Sequence, residues 1–269
     1  MKPLKHSILL IVLFAVIFLI SAQVHKNANS GLHKVRQHLK TIVVDAGHGG
    51  HDYGSMYGGA NEKDVTLAIA LKLGEEIGKI MPDMKVVFTR NNDSFVELHE
   101  RAGIANRCNA DLFVSVHCNA SKKTEVWGTE TYSMGLDKAI GNLNVAKREN
   151  AVILLENDYQ EKYEGFDPNS PEADIYFSFL QNAFIDQSLM LASQVESQFR
   201  GMSKQSRGVK QAPFMVLWRC KMPSILIETG FISNKVERNF LTSAAGQQEV
   251  ATAIAKAVEN YRQKVESGK

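Results

Sequence analysis

His48, Glu62, His117 and Glu228 stand in four separate segments, each where an apolar or glycine-rich run starts or stops. His48 lies in TIVVDAGHGG, Glu62 in GGANEKD and His117 in DLFVSVHCNA, while Glu228 ends the apolar run of PSILIETGF. Two imidazoles and a carboxylate form a familiar zinc shell with a fourth position left to water, and a further carboxylate beside it can take that water's proton. Taken singly, each residue also has a plainer reading. His48, among Gly47, Gly49 and Gly50, reads equally as an exposed loop histidine. Glu62 suits the positive end of a helix dipole. His117 reads as a hydrogen-bonded core histidine. Glu228 follows Ile225, Leu226 and Ile227, so its carboxylate must be paired or put to work. Asp45 is either the partner of a histidine's second ring nitrogen or a turn-former ending its strand. His51 has no supporting segment and reads as incidental.

The elements that must carry these residues alternate. A β-branched run over 41–45 reads as a strand entering a turn. Val65, Ile69, Leu73, Ile77 and Ile80 fall on one stripe and predict a helix over 62–81, with Asn61 as its cap, Asp64 three residues on and Pro82 as its stop. Further strands are expected at 85–89, 111–117, 128–133, near 214–217 and at 224–228, with helices over 97–108 and 184–199 and two more at the C-terminus. Continuous apolar strands alternating with helices predict an α/β domain: a mostly parallel twisted sheet with helices on both faces and a helical insertion. In such folds ligands bind beyond the carboxyl ends of the strands, where His48, His117 and Glu228 fall and which Glu62 can reach.

Residues 1–22 carry Lys2 and Lys5, an apolar stretch and then small residues, the order of a secretory signal peptide or an N-terminal anchor. Residues 23–39 read as a polar linker and 40–266 as the catalytic domain. Export to a periplasm or cell envelope follows, with membrane contact only through an uncleaved anchor. Loss of the two leader lysines takes the formal net charge from +2 to zero, so neither charge nor motif supports a nucleic-acid partner. Cys108, Cys118 and Cys220 form neither a zinc spacing nor a disulfide framework and read as small buried hydrophobes.

Five segments, in this order, resemble the zinc-dependent N-acetylmuramoyl-L-alanine amidases of the amidase-3 type: GHGG after a strand, the glutamate opening the next helix, ADLFVSVHCNA, RGVKQAPFMVL and PSILIETGFISN. The resemblance runs from about residue 40 to 261. It implies that His48, Glu62 and His117 hold Zn²⁺ and that Glu228 is the catalytic carboxylate. The implied reaction is hydrolysis of the amide joining N-acetylmuramic acid to the L-alanine of the stem peptide in peptidoglycan.

Between residues 136 and 174 the rhythm breaks, with nine acidic residues against four basic ones. That is long for a connection in a compact domain and favours a lid or regulator over a surface loop, as does the apolar run 152–155. AKRENAVILL resembles the helix that covers the zinc in amidases of cell separation until a protein activator displaces it. Glu149, or second to it Glu156, is the expected inhibitory fourth ligand; a solvated helix is the competing reading. Two other functions fit the ligand set: a zinc peptidase cutting within the stem peptide, and an inactive cell-wall binding protein.

Overall fold

The computed structural model describes residues 38–135, 140–165, 184–202 and 204–268. In chain order its elements are β1 (Thr41–Ala46), the short pair β2 (Met56–Tyr57) and β3 (Ala60–Asn61), α1 (Glu62–Ile80), β4 (Lys85–Phe88), α2 (Leu98–Arg107), β5 (Leu112–Asn119) and β6 (Thr129–Met134). There follow α3 (Ile140–Asn150), a 3₁₀ turn (Ala151–Leu155), α4 (Tyr159–Lys162), α5 (Ile185–Gly201), β7 (Ser206–Ala212), α6 (Met215–Trp218), β8 (Ser224–Phe231), α7 (Lys235–Leu241) and α8 (Ala244–Ser267). Six strands make one sheet in the order β4-β1-β5-β8-β6-β7, parallel throughout except where β6 runs antiparallel to β8. This is the mostly parallel α/β sheet expected from the sequence.

Strand side chains alternate between the two faces, and each face has its own core. Ile42, Val44, Val114, Val116, Ile225 and Ile227 pack with α1, α5 and α8. Val43, Phe113, Tyr132 and Leu226 pack on the other face with α2, α6 and the insertion. The α1 stripe is fully buried at Ile69, Leu73 and Ile77. At about 1.5–3 kcal/mol for each such side chain, that packing outweighs intrinsic helix propensity in fixing the helix, and it sets the rotation that aims Glu62 inward. Asn61 does occupy the cap position, but its side chain donates to Asp64 Oδ2 at 2.8 Å and caps no backbone amide.

The described part of the insertion, residues 140–165, is no solvated loop. Val145, Ala146, Val152, Ile153 and Tyr163 are buried in the second core. Two elements differ from expectation. Residues 214–217 form helix α6 where a strand was expected; Asn150 Oδ1 accepts the Met215 N–H at 2.8 Å and its Nδ2 donates to Pro213 O, so the apolar run is buried as a turn beneath the insertion. The neighbouring strand is instead β7, whose SRGVKQA sequence is too polar for a strand signal because it lies at the sheet edge. The leader at 1–22, the linker up to residue 37 and the insertion beyond residue 165 lie outside the described residues. Among the described residues no helix is long and apolar enough to cross a membrane.

Candidate metal centre

β1 delivers the chain into the turn that carries His48. Two buried arginines hold that turn by its carbonyls: Arg90 donates to the oxygens of Ala46 and Gly47, and Arg101 to those of Ala46 and His48. Gly47 is required by close approach, since a Cβ there would lie 2.5 Å from the His117 ring. His48 itself sits at φ +62°, a left-handed conformation costing about 1–3 kcal/mol that the surrounding bonds over-determine. Its Nδ1 bonds Asp52 Oδ2 at 2.8 Å, which aims Nε2 into the site.

Glu62 opens α1, fully buried, with Oε2 accepting the Ser55 N–H and Oε1 the Cys118 N–H, both at 2.9 Å. Its Oε1 lies 3.2 Å from His48 Nε2 and 3.3 Å from His117 Nδ1. His117 comes from β5, and its ring meets that of His48 edge-on with centroids 4.9 Å apart. Glu149, near the end of α3, completes the group: its Oε2 is 3.2 Å from both His48 Nε2 and His117 Nδ1. The four donor atoms lie within 4.8 Å of one another, and all four residues are buried.

Among the described residues, three buried atoms here have no hydrogen-bond partner: His48 Nε2, Glu149 Oε2 and Glu228 Oε2. Leaving such groups unsatisfied costs about 1–3 kcal/mol each, and more when charged. Two imidazole nitrogens and two carboxylate oxygens converging on one point resolve that cost if they share a cation, so the residues fit a metal ion. The donor set suits zinc among others.

Glu228 stands beside this group on β8, opposite His117 in the register with β5. It is fully buried. Burial first, then the charge of Glu149, push its pKa well above the usual carboxylate range, against the lowering effect of Arg148. Arg148 fills the space in front of it: Nη2 lies 3.3 Å from Glu228 Oε1 and 3.2 Å from Asn119 Oδ1, while Nε donates to Glu149 Oε1 at 2.8 Å. Burial alone would depress both histidines. For His48 the charge of Glu62 together with bonds to Asp52, Glu149 and Glu62 outweighs it and raises the pKa well above the usual range, and for His117 the charge and bond of Glu149 with the bond to Glu62 raise it to about 9.

The structure thus brings His48, Glu62, His117 and Glu149 into one buried cluster with Glu228 beside it. Asp45 goes elsewhere: Arg101, Ser115 and Thr89 take up its carboxylate, and Asp52 is the partner of His48. Glu156 also lies apart, bonded to the Leu98 N–H and the Tyr163 hydroxyl. Sequence reasoning missed Asp52 and Arg148. The signals available were a carboxylate four residues after a candidate ligand histidine and a cation adjoining an expected ligand, both too common to single out.

Residues 42–260 match the profile of the Amidase_3 family, described as N-acetylmuramoyl-L-alanine amidase. The chain belongs to the N-acetylmuramoyl-L-alanine amidase family. Among its relatives, the amidase AmiA of Escherichia coli is 33% identical over 227 residues, covering 82% of this chain and 76% of AmiA. Of solved amidases, AmiC2 of Nostoc punctiforme superposes with a TM-score of 0.62 at 29% identity, covering 83% of this chain and 97% of that one. The CwlD amidase of Clostridioides difficile, solved in complex with the GerS lipoprotein, gives 0.61 at 26% identity, covering 82% and 98%.

Proposed function

We propose that this chain is an exported, zinc-dependent amidase that hydrolyses the bond between N-acetylmuramic acid and L-alanine in peptidoglycan, held inactive at rest by its own insertion. The observation that carries the reading is Glu149 Oε2 set 3.2 Å from the facing nitrogens of both His48 and His117, with Arg148 against Glu228 from the same turn of α3. One segment therefore covers both halves of the machinery.

His48, Glu62 and His117 are the zinc ligands, Glu149 is the inhibitory fourth ligand, and Glu228 is the catalytic carboxylate. Zinc supplies a water that ionises near neutral pH and a positive charge to oppose the carbonyl oxygen's developing charge. Glu228, freed of Arg148, accepts the water's proton and then delivers it to the departing alanine nitrogen. Asp52 keeps His48 in the tautomer that presents Nε2. A protein activator that draws α3 outward removes Glu149 and Arg148 together. The CwlD–GerS complex supports a protein partner of this kind.

Purified peptidoglycan distinguishes the competing activities. The full chain with Glu149→Ala should release intact stem peptides bearing a free alanine amine, faster than the unaltered chain does. Peptides shortened within the stem would instead mark a peptidase, and no gain from Glu149→Ala would remove the inhibitory role.

A further inference from the structure

The RGVK run of β7 is used by nothing in the machinery above, yet it lies in line with it. Across the sheet, His117 on β5 pairs with Glu228 on β8, and Glu228 pairs with Glu130 on β6. Beyond Glu130 the β6–β7 register slips: Thr129 pairs with Ser206 and Thr131 with Val209, leaving Arg207 and Gly208 opposite Glu130. Gly208 takes φ +90°, a left-handed conformation that suits such a bulge. Bulges of this kind re-aim a side chain, and here the one re-aimed is Arg207. A single row of the sheet thus carries a metal-ligand candidate, the catalytic carboxylate, a buried acid and an arginine.

We infer that Arg207, with Lys210 beside it, is the specificity anchor for a carboxylate of the substrate peptide. Both cations donate to the same oxygen, Oε1 of Glu130, while Oε2 is held by Asn119 and Tyr132. One acid facing two cations leaves a positive charge over. Arg207 uses only Nε on Glu130; among the described residues its two terminal amino groups have no carboxylate partner, and the side chain is 34% exposed. A planar fork with two free donors matches a carboxylate in two parallel bonds. Both residues line the main cleft of about 1190 Å³, as do the exposed Lys122 and Lys123. Strands lie about 4.8 Å apart, so β7 is roughly 10 Å from β8, a span of about three residues of extended peptide at ~3.3 Å each. A peptide whose amide is cut beside Glu228 would therefore present its second or third residue to Arg207. Carboxylates at those residues would be bound, and amidated side chains would leave the fork without a charge partner.

The assignment rests on the amidase reading for where the scissile amide lies. Two muramoyl peptides test it, one with free carboxylates on its second and third residues and one with both amidated, offered to the zinc-loaded full chain carrying Glu149→Ala. The acidic peptide should be cleaved with kcat/KM about tenfold or more above the amidated one. Arg207→Gln should bring that ratio close to one, mainly through KM, and Arg207→Lys, which keeps a charge beside Glu130, should retain part of it. A ratio near one in the parent, or an equal fall for both peptides in Arg207→Gln, overturns the proposal, since a purely structural arginine would act on both alike. Should neither be cleaved, calorimetric binding of the two free peptides separates the claims. A preference for the acidic peptide that is lost in Arg207→Gln upholds the anchor while the amidase reading fails. Equal binding sinks the anchor.

Discussion

Two clusters in this molecule have nearly the same composition and opposite character. Each gathers histidine and glutamate from the fold and one glutamate from the insertion: His48, Glu62 and His117 with Glu149, and Glu97 and His99 with Glu156. In the first, donor atoms face one another across a buried space, and among the described residues His48 Nε2 and Glu149 Oε2 have no hydrogen bond. In the second, His99 Nδ1 also lacks one, but the carboxylates are already served. Lys162 donates to both oxygens of Glu97 at 2.8 Å, and Glu156 accepts the Leu98 N–H and the Tyr163 hydroxyl. A cation already stands in the second cluster, and it is a lysine. Residue types nominate a metal site, and the satisfaction of the donors decides it. The first cluster is the candidate metal centre; the second fastens the insertion to the start of α2.

The sharpest way to break this contrast is to remove a histidine from each. His117→Ala should lower zinc below one ion per chain and bring amidase activity to background, whereas His99→Ala should leave zinc content as it was; elemental analysis of dialysed protein reads both. Next in size, Glu228→Gln should reduce turnover by about 10²–10⁴-fold with zinc retained, since it removes the proton carrier and no ligand. Full activity in that variant would end the role given to Glu228. Asp52→Asn should weaken zinc binding by roughly 10–100-fold through loss of the bond that orients His48, measured by competition with a chelator.

Smaller effects separate the two glutamates of the insertion. Glu149→Ala should raise activity by about tenfold, equivalent to ~1.4 kcal/mol of plugging, and Glu156→Ala should leave the zinc content unchanged. Glu156→Ala should instead cost about 1–3 kcal/mol of stability, because the Leu98 N–H and the Tyr163 hydroxyl lose their acceptor. Burial first, and then the nearby charge of Glu97, hold the pKa of Glu156 above its usual 4.5. The folded chain therefore binds that proton more tightly than the unfolded chain does. Relative to Glu156→Gln, the unaltered chain should lose stability as pH rises from below the ordinary carboxylate pKa through the raised folded value. Denaturant midpoints at pH 4 and pH 7 check the sign.

Much of this was legible in the chain. The stripe from Val65 to Ile77 and the apolar runs of β1, β5 and β8 specify their elements locally, because periodicity and β-branching act within a few residues. Glu149 was also named, through the resemblance of its helix, and its carboxylate lies in the first cluster. The edge strand β7 escaped because an edge needs few apolar residues, and α6 was misread because burial under the insertion imposes the same apolar run that a strand would.

The sequence by itself determined the donor types, their order and the family. Only the tertiary structure decided which carboxylate serves which group: Asp52 and not Asp45 for His48, Glu149 and not Glu156 at the cluster, Arg148 before Glu228, and Arg207 in line beyond Glu130. Those choices depend on strand register and on hydrogen bonds between residues as far as 80 positions apart. Such pairings are set by the packing of the whole domain, so no local pattern in the chain can carry them.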